Sequence, residues 1–144
     1  MKRIVRHWWI GSVVPALMAL VFATGAGFVT PMTAFDPNFD YLDQGFCALS
    51  ASNNKIRMYG ETYATRRVDA IGVRLVLQRW TETGWIDVYY GTKKEEKNFD
   101  YVYQSHEDIP ALKGHTYRVK AEHWIREGTV SESGVRYSPS ITVP

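Results

Sequence analysis

The stretch KGHTYRVKAEHW, Lys113 to Trp124, decides how this chain folds. From Thr116 onward the side chains alternate. Tyr117, Val119, Ala121 and His123 share one face, and Arg118, Lys120, Glu122 and Trp124 share the other. A period of two is the mark of a strand with one buried side. With Tyr117 inward, His123 lies near the end of the inner stripe, where a histidine serves as a hydrogen-bonded core or rim residue. His115 belongs to the preceding turn. The two histidines are eight positions apart, about 27 Å along an extended strand, so they cannot share a metal ion or a substrate atom.

The same period runs outward from this stretch. Strands are predicted over Gly45–Ser52, Lys55–Thr65, Ala70–Trp80, Trp85–Tyr90, Phe99–Ser105, Thr116–Ile125 and Val135–Val143. Asn53-Asn54 turns the chain between the first two. Ile56, Met58, Gly60, Thr62 and Ala64 form the inner face of the second strand, and Ile71, Val73, Leu75 and Leu77 that of the third. Thr81-Glu82-Thr83-Gly84 reads as a four-residue hairpin loop. Its register sets Gln78 opposite Asp87 and Trp80 opposite Trp85 outward, with Leu77 opposite Val88 and Leu75 opposite Tyr90 inward. GTKKEEKN, Gly91 to Asn98, reads as a solvated loop. Seven short strands with no helical period predict an all-β fold, a seven-strand antiparallel sandwich over residues 44–144.

The residues before it differ in kind. Lys2, Arg3 and Arg6 precede an uncharged run from Trp8 to Thr30, and no acidic residue occurs before Asp36. That order reads as an export signal, a signal helix over residues 1–26 cut near residue 25 or 26. The run is also long enough for an uncleaved membrane anchor, while Pro15 and the Gly-rich end favour cleavage. Residues 27–43, with two prolines and no sustained period, read as a linker. Taking those three basic residues from the total of 17 leaves 14 against 15 acidic ones. The body has no cationic excess to hold phosphates, which argues against nucleic acid as a partner.

Motifs for chemistry are sparse. His106-Glu107-Asp108 is the densest group of potential ligands, but three consecutive loop residues seldom converge on one ion, and metal-type spacing is missing elsewhere. No metal and no cofactor are expected. No Gly-x-Ser-x-Gly or phosphate-cradling loop occurs. Glu95-Glu96 and Glu107-Asp108 are loop neighbours rather than a held acid–base pair. Cys47 is the single cysteine, so no disulfide can form within the chain. Its strand position predicts a buried, inert thiol. No catalytic residue is assigned.

Leu112-x-Gly114-x-x-Tyr117-x-Val119-x-Ala121 resembles the corner before the penultimate strand of fibronectin type III domains. The tail GTVSESGVRYSPSITV resembles the last loop and strand of that family. The resemblance implies a fibronectin type III-like, immunoglobulin-like sandwich in which Leu112, Gly114 and Tyr117 form a structural corner and the Tyr117 hydroxyl bonds back along the chain. The second strand departs from the family in lacking its core tryptophan. Ile71-Gly72-Val73, Leu77-Gln78-Arg79-Trp80, Trp85 and Tyr117-Arg118-Val119 also resemble a group of short exported proteins of Gram-positive bacteria. That likeness implies an extracellular sandwich and carries no activity with it.

Tyr59, Tyr63, Trp80, Trp85, Tyr89 and Trp124 fall on outward positions. Exposed aromatics anchor many binding surfaces. They also favour strands intrinsically, and Trp80 opposite Trp85 serves equally to staple a hairpin. The expectation is an exported, non-catalytic binding or surface module, secreted or at the cell envelope. Its partner would be a protein or a cell-wall glycan, met through Trp80, Trp85, Tyr89 and Trp124. Contact with a membrane would come only through an uncleaved N-terminal segment. A self-associating structural subunit of the envelope and, more weakly, a small exported hydrolase are the alternatives.

Overall fold

The computed structural model describes residues 33–144; the expected signal segment, 1–26, and residues 27–32 of the expected linker lie outside them. The described chain is all strand and turn. In order the strands are β1 (Thr33–Ala34), β2 (Leu42–Ser52), β3 (Lys55–Val68), β4 (Ala70–Thr81), β5 (Gly84–Tyr90), β6 (Lys94–Glu96), β7 (Phe99–Pro110), β8 (Thr116–Glu127), β9 (Val130–Tyr137) and β10 (Ile141–Thr142). Six of the long strands, β2 to β5, β7 and β8, correspond to the first six expected; β9 and β10 divide the last expected strand between them, and β1 and β6 are short additions.

They form two antiparallel sheets. One has the order β1-β2-β3-β7, and the other β10-β8-β4-β5, with β6 also beside β4 and β9 also beside β8. The inward stripes meet as one core. Ile56, Met58, Ile71, Val73, Leu75, Leu77, Val119, Ala121 and Ile125 are fully or almost fully buried. Burying each large aliphatic chain contributes roughly 1.5–3 kcal/mol, which is how a chain with no disulfide holds together.

Turns agree with their residues. Asn53 and Asn54 both adopt left-handed backbone, φ 51° and 58°. A two-residue turn of that hand matches the twist of the strands it joins. Gly128, φ 55°, turns β8 into β9. At the corner, the backbone N–H of Leu112 donates to the Tyr117 hydroxyl at 2.9 Å. Tyr117 is buried and Gly114 takes a positive φ of 78°.

Several expectations are corrected. Gln78 and Trp80 do face Asp87 and Trp85, but Thr81 pairs with Gly84, leaving a two-residue loop. Beyond Asp87 a bulge inserts one residue, so Leu77 pairs with Tyr89 and Val76 with Tyr90, not Leu77 with Val88 or Leu75 with Tyr90. An extra residue reverses the faces of everything after it. The charged stretch after Gly91 is not wholly loop, since Lys94–Glu96 pairs with Ile71–Val73. The last expected strand is two. Ser138 breaks the ladder, its side chain accepting from the Val119 N–H at 2.8 Å, and β9 extends back to Val130. His106, Glu107 and Asp108 lie within β7, where a second bulge leaves Asp108 at φ 57°.

The end of the linker is built into the fold. Thr33 and Ala34 pair with Gly45 and Gln44. The Phe35 ring fills the space that a Cβ at Gly45 or Gly134 would occupy. The Glu132 carboxylate accepts the backbone N–H groups of Asp40, Tyr41 and Leu42 at 2.7, 3.0 and 2.6 Å. Arg136 lies over the Phe35 ring at 4.1 Å and donates to the Ala34 carbonyl. This segment is a strap clasped by β9.

Candidate functional site

The outer face of the six-stranded sheet gathers two of the four candidate aromatics. Trp80 and Trp85, paired across the β4–β5 hairpin, have ring centroids 5.3 Å apart in an edge-to-face arrangement. Such pairs are worth about 0.5–1.5 kcal/mol beyond the area they bury. Trp80 remains 51% exposed. The Arg118 guanidinium lies 4.3 Å from the Trp85 ring centroid and 4.2 Å from that of Tyr137, so it is held between two rings.

A polar row backs this aromatic one. Arg118 Nε donates to Gln78 Oε1 at 2.8 Å, and Gln78 Nε2 donates to Asp87 Oδ1 at 2.7 Å. The Tyr90 hydroxyl donates to the other Asp87 oxygen at 3.0 Å. The bond from Gln78 is the main reason the Asp87 carboxyl is held below the usual carboxylate range. The bond to Asp87 likewise raises the Tyr90 phenol. The row crosses β8, β4 and β5 at the register positions Arg118, Gln78 and Asp87. Tyr90 and Tyr137, 57% and 50% exposed, flank it. The side chains are thus fixed before any partner arrives.

Trp124 stands apart, six residues from Arg118 on β8 or about 20 Å along the strand. Its indole lies flat across Gly72 of β4, where a Cβ would come within 2.1 Å of the ring. Its Nε1 donates to Glu95 Oε2 at 2.9 Å, a bond that leads the forces holding Glu95 below its ordinary pKa. Arg126 joins the same carboxylate at 2.8 Å. Trp124 therefore clamps β6, and it borders a surface hollow of about 490 Å³ with Glu122, Ser133 and Val135.

Tyr89 is not on the outer face. The bulge turns it toward the core, where its hydroxyl lies 3.4 Å from His106 Nδ1. Tyr59 and Tyr63 are outward, but on the other sheet. Arg118, Tyr137 and Tyr90 are the members of the Trp80 face that sequence reasoning did not single out. Arg118 was legible as an outward position between Tyr117 and Val119. The contribution of β9 required its register with β8.

The inward histidines are tied to hydroxyls. Thr62 Oγ1 donates to the Gly72 carbonyl at 3.1 Å and lies 2.7 Å from His123 Nδ1. With the hydroxyl proton committed, Nδ1 carries the imidazole proton. Nε2 faces the Phe35 ring without a hydrogen-bond partner. Burial and the Arg136 charge push the His123 pKa down to about 3. Burial also lowers His106. Cys47 is buried, and desolvation raises its thiol to about 12, far from the thiolate that chemistry requires. Among the described residues no group of three or more His, Cys, Asp or Glu side chains is placed to hold a metal ion.

No protein-family model matches the sequence, and neither the curated proteins nor the solved structures compared with it give a match.

Proposed function

We propose that this protein is a non-catalytic binding module that meets its partner with the outer face of the six-stranded sheet, centred on Trp80. The carrying observation is a half-exposed tryptophan braced against Trp85, whose ring is in turn stacked on the fixed Arg118 guanidinium. Rings immobilised in advance lose little entropy on binding, which is what makes an aromatic anchor effective. The module is exported and works outside the cell or at its envelope, a reading supported by the basic, then uncharged, order of residues 1–30. The partner is a protein or a cell-wall glycan.

The sandwich is of fibronectin type III kind in this reading. Support comes from the Tyr117–Leu112 corner bond and from the strand orders β2-β3-β7 and β9-β8-β4-β5. The non-catalytic reading draws support from the inward histidines, whose side-chain partners are the hydroxyls of Thr62 and Tyr89 rather than carboxylates. Self-association through sheet edges is the second reading: the edge strands β5 and β7 each carry a bulge that interrupts further pairing, whereas β9, paired only with β8, keeps an unbulged edge.

Glycan arrays and peptidoglycan and cell-surface protein pull-downs with the wild type and a Trp80→Ala, Trp85→Ala double variant test the proposal. A ligand retained by the wild type and lost by the folded double variant supports it. Equal retention by both, or no ligand for the wild type, removes it.

A further inference from the structure

The outer face of the four-stranded sheet carries a cluster that the Trp80 face does not use. Register puts Glu61 at its centre. Phe46 on β2 and Tyr103 on β7 are its cross-strand partners, Tyr59 and Tyr63 are its same-face neighbours on β3, and Tyr63 pairs with Tyr101. Ring centroids lie 5.7 Å apart for Phe46–Tyr59, 6.4 Å for Tyr59–Tyr103 and 4.8 Å for Tyr63–Tyr101.

The carboxylate has an unusual set of neighbours. The hydroxyls of Tyr63 and Tyr101 donate to its two oxygens at 3.1 and 3.3 Å. Each carboxylate oxygen has two acceptor sites, so half of its capacity stays open. Among the described residues no basic side chain forms an ion pair with Glu61, while Arg57 and Lys55 at the hairpin end are taken by Glu107 and Asp108. Burial and the Glu61 charge raise the Tyr101 phenol to about 12 and raise Tyr63 as well, keeping both hydroxyls as donors. The site is an anion among electron-rich rings, with no paired cation among the described residues.

Ring geometry narrows the ligand. Interplanar angles of 40° for Tyr59–Tyr103 and 47° for Tyr63–Tyr101 make a splayed surface. A flat sugar ring stacks on one exposed ring, as Trp80 offers, and gains little from several tilted ones. A rounded cationic head group makes contact with several tilted rings at once, and ring quadrupoles attract it from within about 6 Å.

We propose that Tyr59, Glu61, Tyr63, Tyr101 and Tyr103 form a binding site for an alkylated ammonium head group, with Glu61 as its counter-charge and the buried Phe46 ring packed against Tyr59 as its support. The site is independent of the Trp80 face and lies on the opposite sheet.

Titration calorimetry of the protein with tetramethylammonium chloride, at ionic strength matched with sodium chloride, tests it. The wild type is expected to give a saturable isotherm below about 100 mM, the range of a weak site. Glu61→Gln, which keeps an acceptor for the tyrosines, should weaken binding roughly tenfold, and Tyr59→Leu severalfold. Trp80→Ala should leave the isotherm unchanged, and tert-butanol, of similar size but neutral, should not bind. Absence of saturation in the wild type overturns the proposal, as does equal affinity in Glu61→Gln or equal binding of the neutral probe. Sedimentation with phosphatidylcholine vesicles separates the two sources of such a head group. Glu61-dependent co-sedimentation assigns a lipid, and tetramethylammonium binding without it assigns a free ligand.

Discussion

On the six-stranded sheet, aromatic rings close on a cation that the chain supplies itself, Arg118 between Trp85 and Tyr137. On the four-stranded sheet they gather round an anion, Glu61, bonded to two phenols and to no base among the described residues. The same residue types therefore do different work. The first face is internally neutralised and stiff, so its contribution to a partner is shape and apolar contact at Trp80. The second is electrostatically incomplete, so its contribution is charge. Aromatic content alone does not distinguish them; the charged residue at the centre of each does.

The link between the two faces is itself titratable. Thr62 on one sheet and His123 on the other are hydrogen-bonded through the core. Burial holds the folded imidazole at about 3, below the roughly 6.5 of an unfolded chain. The unfolded state therefore takes up the proton first, and stability present above pH 6.5 is lost as the pH falls toward 3. Urea unfolding should show about 3 kcal/mol less stability at pH 4.5 than at pH 7 from this group alone. A His123→Leu variant should lose less over the same interval; a parallel loss would place the acid sensitivity elsewhere.

Next in size is the cation. Arg118→Ala strips both rings of their partner and leaves buried Gln78 Oε1 unpaired, which should lower stability by about 2 kcal/mol. Arg118→Lys should recover only part of this, because an ammonium cannot stack between two rings and bond Gln78 as a planar fork does. Thermal midpoints of the three proteins would show it, and full recovery by lysine would reduce the ring stack to simple charge. Trp80→Ala should cost only about 1 kcal/mol, the edge-to-face term and little more, measured by the same unfolding curve. A much larger loss would make Trp80 a structural staple rather than an anchor.

The smallest stability effect belongs to the anion. Glu61→Gln should change stability by less than about 0.5 kcal/mol, because the site is at the surface and the amide still accepts a bond. Its spectroscopic effect is larger in kind. Tyr101, held at about 12 by burial and by Glu61, should titrate at lower pH once that charge is gone. Ultraviolet absorbance of phenolate formation measures it. No change would mean that burial alone raises the phenol.

Period two made β3, β4 and β8 legible, and with them the core stripe from Tyr117 to His123. The Asn53-Asn54 turn was legible because few residues tolerate left-handed backbone. The bulge at Val88 was not, since one extra residue leaves the composition of β5 unchanged while moving Tyr89 from the outer to the inner face. β6 was hidden by its charges, which suit an edge strand as well as they suit a loop. The Glu61 cluster was half visible. Tyr59 and Tyr63 alternate with the core of β3, but Phe46, Tyr101 and Tyr103 join them only through cross-strand register. Register depends on turns and bulges more than on any strand's own residues.

The strap also bears on when the fold can be completed. Glu132 receives N–H groups from residues 90 to 92 positions earlier in the chain. During synthesis Asp40 to Leu42 emerge long before their acceptor does. Phe35 likewise waits for Gly134. The first described segment to appear is thus the last to be seated, after the chain has closed a loop spanning most of the domain. Until β9 arrives, Gln44 and Gly45 at the edge of β2 lack a seated strap, so their exposure to mispairing lasts until β9 has been made.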